Sequence, residues 1–131
     1  MIPTILIIAT LDTKEEETNY LKTVIEEKGC NTILVDTGIL SSPKKVKPDV
    51  SREEVALAGG IPIDKLLATG NKGKCIEVMI TGAKSVARKL YDEGKFAGVI
   101  GIGGAQGTNI ATSVMRNLPF GLPKLMVSTI A

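Results

Sequence analysis

A chain of 131 residues, 44% hydrophobic and 23% charged, has the size and composition of one globular domain with its own core. Sixteen Lys and Arg against fourteen Asp and Glu leave a net charge of +2, too small to imply a nucleic-acid partner or a membrane surface. Aromatics at 3% with no Trp argue against a stacking platform for single strands, and the lack of His removes the commonest general base and zinc ligand.

Cys30 and Cys75 have no metal-ligand spacing and read as free buried thiols of a cytoplasmic protein. No stretch approaches the roughly 18 apolar residues of a membrane helix, and the amino terminus lacks the pattern of a signal peptide.

Thr4 to Thr10 is apolar without alternation, as in a strand buried on both faces of a parallel sheet. Thr13 followed by Glu16 has the form of a capping box. With Glu15, Glu16 and Glu17 in its first turn, a helix is expected from Lys14 to Lys28, closed by Gly29. Asn31 to Asp36 is the second strand, and residues 4–36 make one right-handed βαβ unit. The run Ser41 to Pro48 is polar, basic and proline-bearing, and is expected to be an exposed, mobile loop. Its lysines Lys44, Lys45 and Lys47 suit an acidic ligand, but a solvated loop is the plainer reading.

Ser51 with Glu54 is a second capping box, opening a short helix that runs through Ala58 and ends at Gly59-Gly60. A further short turn is expected from Ile61-Pro62 through Ala68, before Gly70. From Lys72 to Glu93, Ile76, Met79, Ile80, Ala83, Val86, Ala87 and Leu90 recur at helical spacing, and Gly94 closes the helix. Gly82 lies mid-helix, where glycine costs ~1 kcal/mol against alanine, so close packing is expected there. Phe96 to Ile102 is the third strand. The glycine-rich run Gly101 to Thr108 follows, with a helix from Thr108 to about Asn117. Pro119, Gly121 and Pro123 mark the turn into the fourth strand, Lys124 to Thr129.

Four such strands joined by helices predict an α/β domain: a doubly wound, Rossmann-like parallel sheet in the order 2-1-3-4. Residues 1–131 read as the amino-terminal part of a longer, two-domain protein. Ligands of such sheets bind outside the carboxyl ends of the strands where chain direction reverses, here between loops 10–14 and 101–108. Both loops lead into helix amino termini, which favour anions. The glycine-rich turn alone reads equally as a phosphate site or as a tight packing turn; the convergence of two helix starts favours the anion.

The roles follow from that placement. Backbone N–H groups of Gly103, Gly104 and Gly107 would hold phosphate oxygens, with the hydroxyls of Thr10, Thr13 and Thr108 adding hydrogen bonds. Lys14 is a counter-charge or a surface lysine. Asp12 holds a magnesium ion with the phosphate, or serves as a turn residue. Asp36, beside Gly38, accepts from a ribose hydroxyl or is a plain loop carboxylate, and Ser128 and Thr129 flank the other side. Gly101, Gly103 and Gly107 miss the G-x-G-x-x-G spacing by one residue. Gly82-Ala83-Lys84-Ser85 falls inside a predicted helix and is no P-loop.

The segments Ile8-Ala9-Thr10-Leu11-Asp12-Thr13-Lys14-Glu15-Glu16, Val35-Asp36-Thr37-Gly38, Gly101-Ile102-Gly103-Gly104-Ala105-Gln106-Gly107-Thr108 and Val127-Ser128-Thr129 occur in this order. Together they resemble the family of ATP-binding amino-terminal domains typified by the tomato mosaic virus resistance protein. The resemblance covers essentially the whole chain. It implies ATP as ligand, a carboxy-terminal domain as intramolecular partner, and a plant branch that binds a viral replication protein, an activity that does not extend to this chain. Ala105-Gln106 departs from that pattern, which has smaller residues there.

Three functions are consistent with these readings. The first is nucleotide binding, of ATP with or without magnesium. The second is part of an enzyme acting on a phosphorylated small molecule, with its catalytic groups in another domain. The third is an oligomerisation module without a ligand, and a homo-oligomer is expected in any case.

Overall fold

Strands that are apolar on both faces belong in parallel sheets covered by helices, and four strands pair here into a wholly parallel sheet. In the computed structural model, which describes residues 2–129, the order of elements is β1 (Thr4–Ala9), α1 (Leu11–Glu27), β2 (Asn31–Asp36), α2 (Arg52–Ala58), α3 (Ile63–Ala68), α4 (Lys72–Asp92), β3 (Gly98–Gly103), α5 (Ala105–Arg116) and β4 (Lys124–Ser128). The sheet order is β2-β1-β3-β4, as the sequence predicts. The central strands are in register from Ile5 opposite Gly98 to Ala9 opposite Ile102.

Alternation along the strands divides the core in two. On one face, Ile7, Ala9, Leu34, Ile100 and Ile102 pack against Leu11, Leu21 and Ile25 of α1. On the other, Leu6, Ile8, Val35 and Val99 join Val55 of α2, Met79 and Ala83 of α4, and Ile110 and Val114 of α5. Cys75 is buried and Cys30 half-buried, and neither is in a disulfide.

The long helix tolerates Gly82 because α2 crosses it there in backbone contact. A Cβ on Gly82 would lie 1.9 Å from the Val55 carbonyl oxygen, and one on Gly59 would lie 2.3 Å from the Val78 carbonyl oxygen. Two glycines on opposite helices thus let the two backbones touch. The capping box at Ser51 forms as expected: Glu54 N–H donates to Ser51 Oγ at 3.1 Å, and Ser51 N–H donates to Glu54 Oε1 at 3.1 Å. Gly29 and Gly94 close their helices at φ +91° and +69°.

Two helix starts differ from expectation, each by three residues. The first helix opens at Leu11 rather than Lys14, and no side-chain cap forms at Thr10. The Thr13–Glu16 box does not form; Thr13 Oγ1 instead lies 3.3 Å from Thr10 Oγ1. The reason is tertiary. Asp36 Oδ1, at the end of β2, accepts the Leu11 N–H at 3.1 Å and caps the helix from outside it. Lys14 then departs from helical geometry at φ −125°, ψ 25°, leaving a kink where the box would have started the helix. Likewise α5 opens at Ala105 with Gly104 as its N-cap, so Gly107 lies inside its first turn.

Gly82→Ala should destabilise the domain by at least about 2 kcal/mol, because the added methyl meets backbone that cannot retreat. Gly73→Ala, whose Cβ would find Asn71 Oδ1 as its nearest neighbour at 3.5 Å, should be neutral or stabilising by up to about 1 kcal/mol. Urea unfolding of the two variants measures the contrast.

Candidate functional site

The chain turns in opposite directions at the two central strands. From β1 it crosses to β2 on one side, and from β3 to β4 on the other. The β1–α1 and β3–α5 connections therefore start side by side and diverge, opening a cleft of about 270 Å³ at the carboxyl ends of the strands. Thr10, Asp12, Thr13 and Lys14 line one wall, Gly104, Ala105, Gln106 and Gly107 the other, and Leu40 the rim. The two loops singled out in the sequence do meet.

On the glycine-rich wall, the helical ladder begins with the Thr108 N–H donating to Gly104 O at 2.9 Å. The N–H groups of Ala105, Gln106 and Gly107 precede it, in the turn where a helix has no internal acceptor for them. Glycine at 107 keeps the two walls close: a Cβ there would stand 3.0 Å from Thr10 Oγ1 across the cleft, and that hydroxyl would have to shift to admit it. Gly103 has a different task. A Cβ on it would lie 2.6 Å from Gly107 Cα, so its lack of one lets the helix start rest on the strand end. Gly103 belongs to β3 opposite Ser128 and is not part of the lining.

Thr108 and Ser128 are also outside the lining. The Thr108 hydroxyl lies 2.8 Å from Ser128 Oγ and donates to Gly103 O at 3.3 Å, which ties α5 to the ends of β3 and β4. Thr129 joins them through its backbone, donating to Gly103 O at 3.1 Å.

On the opposite wall, Asp12 Oδ2 accepts the N–H groups of Ile39 at 3.1 Å and Leu40 at 2.9 Å, folding the loop after β2 against the cleft. Gly38 makes room for this: a Cβ on it would stand 2.8 Å from Asp12 Cγ. Asp12 Oδ1 is buried and has no hydrogen-bond partner among the described residues. Lys14 Nζ sits 3.7 Å from Glu17 Oε2 and lines the same cleft. Among the described residues no three His, Cys, Asp or Glu side chains group to hold a metal, so Asp12 is the carboxylate the cleft offers to a cation.

Asp36 lies elsewhere than the flank expected for it. It is completely buried, and its Oδ1 accepts the N–H groups of Leu11 at 3.1 Å and Gly38 at 2.9 Å. The carboxylate braces the end of β2, the start of α1 and the loop between β2 and α2, rather than facing the cleft. Burial pushes its pKa up to about 6; the hydrogen bonds from Gly38 and Leu11 pull the other way, the charge of Asp12 adds to the rise, and Arg52 opposes it.

Sequence reasoning passed over Ala105, Gln106 and Leu40 as lining residues, and it misread Glu15. Rather than serving the first helical turn, Glu15 accepts the N–H groups of Lys44 at 3.0 Å and Val46 at 2.8 Å, and that of Lys45 between them. Those three bonds hold its carboxyl below the usual range. The backbone of the lysine loop is thereby pinned to α1, while Lys44, Lys45 and Lys47 remain exposed. Nothing local could have signalled a contact between residues so far apart along the chain.

Residues 3–131 match the sequence profile of a family described as "Uncharacterised protein family (UPF0261) N-terminal domain". A UPF0261 protein of Clostridium tetani is 41% identical over 97% of this chain, and one of Brucella suis is 36% identical over 98% of it. The chain spans 31% of the length of each of these curated relatives. A tomato protein, "ToMV susceptible protein tm-1(GCR26)", is 40% identical over 60 residues, which are 46% of this chain and 8% of that protein. No helix among the described residues is long and apolar enough to cross a membrane.

The raised pKa of Asp36 sets a pH dependence of stability. Between the unfolded value of 3.8 and the folded value of about 6, the folded chain holds a proton that the unfolded chain has released. The stability this group contributes is full below about pH 4 and is lost as pH rises through about 6, by on the order of 3 kcal/mol. Asp36→Asn keeps the oxygen that accepts from Leu11 and Gly38 but cannot ionise. Its urea midpoint should therefore fall less than the wild type's between pH 4 and pH 7.

Proposed function

This chain belongs to the UPF0261 N-terminal domain family, and on that footing we propose that its switch-point cleft binds a nucleotide by the phosphates, ATP being the one implied by the resemblance in its sequence. The observation that carries the reading is the meeting of two walls of complementary chemistry. The first-turn N–H groups of Ala105, Gln106 and Gly107 face a loop bearing two hydroxyls, Thr10 and Thr13, and the ammonium of Lys14. Oriented N–H groups at a helix start, with the positive end of its dipole behind them, suit phosphate oxygens.

Size supports phosphates as the part that enters. Pockets that enclose a whole small ligand run from about 300 to 1,000 Å³, and this cleft, at about 270 Å³, is smaller. The sugar and base then lie beyond the rim at Leu40 and are contacted by other parts of the full-length protein. Where magnesium accompanies the phosphates, Asp12 is the residue to hold it. Carboxylate oxygens are hard donors of the kind that ion selects, and Asp12 is the carboxylate among the residues lining the cleft. Gly103, Thr108, Ser128, Asp36 and Gly38 act through the frame: they fix where the two walls stand.

Gln106→Glu separates this function from stability. A carboxylate in the first turn of α5 should stabilise the helix by about 0.3–1 kcal/mol through its dipole, yet repel a phosphate from the same N–H groups. Calorimetric titration of MgATP should show affinity lowered at least tenfold while the melting temperature holds or rises. Equal affinity in variant and wild type, or no binding by the wild-type chain and by a full-length relative, would count against the reading.

A further inference from the structure

Among the described residues, α2, α4 and α5 cover one face of the sheet and α1 alone the other. Neighbouring strands are spaced about 4.8 Å apart and a helix with its side chains is about 10 Å wide, so one helix is too narrow to cover all four strands. Opposite α1, the core is completed by α4 and α5, with α2 beside them. On its own side, α1 packs on β2, β1 and β3.

The rows of paired residues show where that cover stops. Leu34, Ile7, Ile100 and Leu125 stand side by side across the four strands on the α1 side. Their exposures are 0%, 0%, 8% and 59%. The next row towards the cleft ends in Ala9, Ile102 and Val127, at 1%, 7% and 42%. Met126, between Leu125 and Val127, points the other way and packs into the core under α5.

The outer strand is thus dressed on one side only. A parallel strand with apolar residues on both sides is the pattern of a strand buried on both. The bare side is also shaped to receive something. Beside β4 runs a groove of about 520 Å³ lined by Tyr20 and Leu21 of α1, Ile102 and Val127, with Glu16 and Glu17 on its α1 rim. Tyr20 is itself 74% exposed.

We propose that this groove is the docking surface for an amphipathic helix from the part of the full-length family protein that lies carboxyl-terminal to this domain. The occupant is identified by three observations. The curated relatives are about three times as long as this chain, which aligns to 31% of each, so most of the family protein lies outside this domain. The bare side is that of β4, the strand beyond the reach of α1, and the groove runs between β4 and α1, where a helix laid beside α1 would cover it. Its lining calls for apolar residues at helical spacing, and the Glu16 and Glu17 rim calls for Lys or Arg on the flank facing α1.

The test is thiol labelling, with Val127→Cys placed in a Cys30→Ser background and Leu57→Cys, on the opposite face, as the control. The labels are compared in this chain and in the same chain continued with the carboxyl-terminal portion of the Clostridium tetani relative. Maleimide should modify the thiol introduced at position 127 at least tenfold more slowly in the longer protein, with the rate at position 57 unchanged. If the joined protein fails to fold, a cysteine at the position aligned with Val127 in the Clostridium tetani protein, compared with its own amino-terminal fragment, gives the same readout. Equal rates in long and short proteins overturn the proposal. Protection that appears in the short chain as its concentration rises also overturns it, by making a second copy the occupant.

Discussion

Everything at the carboxyl edge of the sheet depends on one topological constraint: adjacent parallel strands β1 and β3 send their chains to opposite sides. Right-handed crossovers then place α1 over one face and α5 against the other, with both helix starts at the same edge. Backbone N–H groups without internal acceptors are thus gathered beside a cleft, although no residue type requires it. Two glycines make the approach close enough to matter. Gly103 lets the first turn of α5 rest on its own strand, and Gly107 lets that turn reach Thr10.

Three carboxylates hold the frame, and they do so by the same means. Asp12, Glu15 and Asp36 each accept backbone N–H groups from loops or helix starts distant along the chain. Loop backbone at the edge of a sheet has donors that no ladder satisfies, and an ionised side chain meets them with bonds roughly twice as strong as neutral ones. For Asp36 this is achieved in full burial, which raises its pKa while its bonds to Leu11 and Gly38 work against the rise. Asp12 and Asp36, which look available for a ligand in sequence, are in large part occupied by the fold; Asp12 alone of the three carboxylates combines that task with a place in the cleft.

The two faces of the sheet are unequal, and the inequality is local. Leu34, Ile7 and Ile100 are shielded by α1, whereas Leu125 and Val127 lie past its reach. The cleft and the bare groove lie on either side of the start of α1, whose kink at Lys14 places the Lys14 side chain in the cleft and leaves Glu16 and Glu17 on the rim of the groove. Phosphate recognition and contact with the rest of the family protein would then share one short stretch of helix.

How much was legible in the sequence follows from the range of each interaction. Apolar runs specified the four strands, although β4 is largely exposed in the structure, helical spacing specified α4, an acidic first turn and a closing glycine specified α1, and the long connection between the second and third strands pointed to the order β2-β1-β3-β4, because burial periodicity and handedness are local or nearly so. The Ser51–Glu54 box and the Gly82 contact were readable for the same reason: a cap needs only four residues, and a costly glycine implies a close neighbour even when the neighbour is unnamed. The sequence also singled out both walls of the cleft. Tertiary structure alone decided where α1 and α5 begin, because Asp36 caps α1 from a different strand and Gly104 takes the cap of α5. It alone separated residues that line the cleft from those that brace it, moving Asp36, Gly103, Thr108 and Ser128 to the second group. A polar side chain carries no local mark of which donor, near or far, will claim it; that depends on distances set only when the sheet has closed.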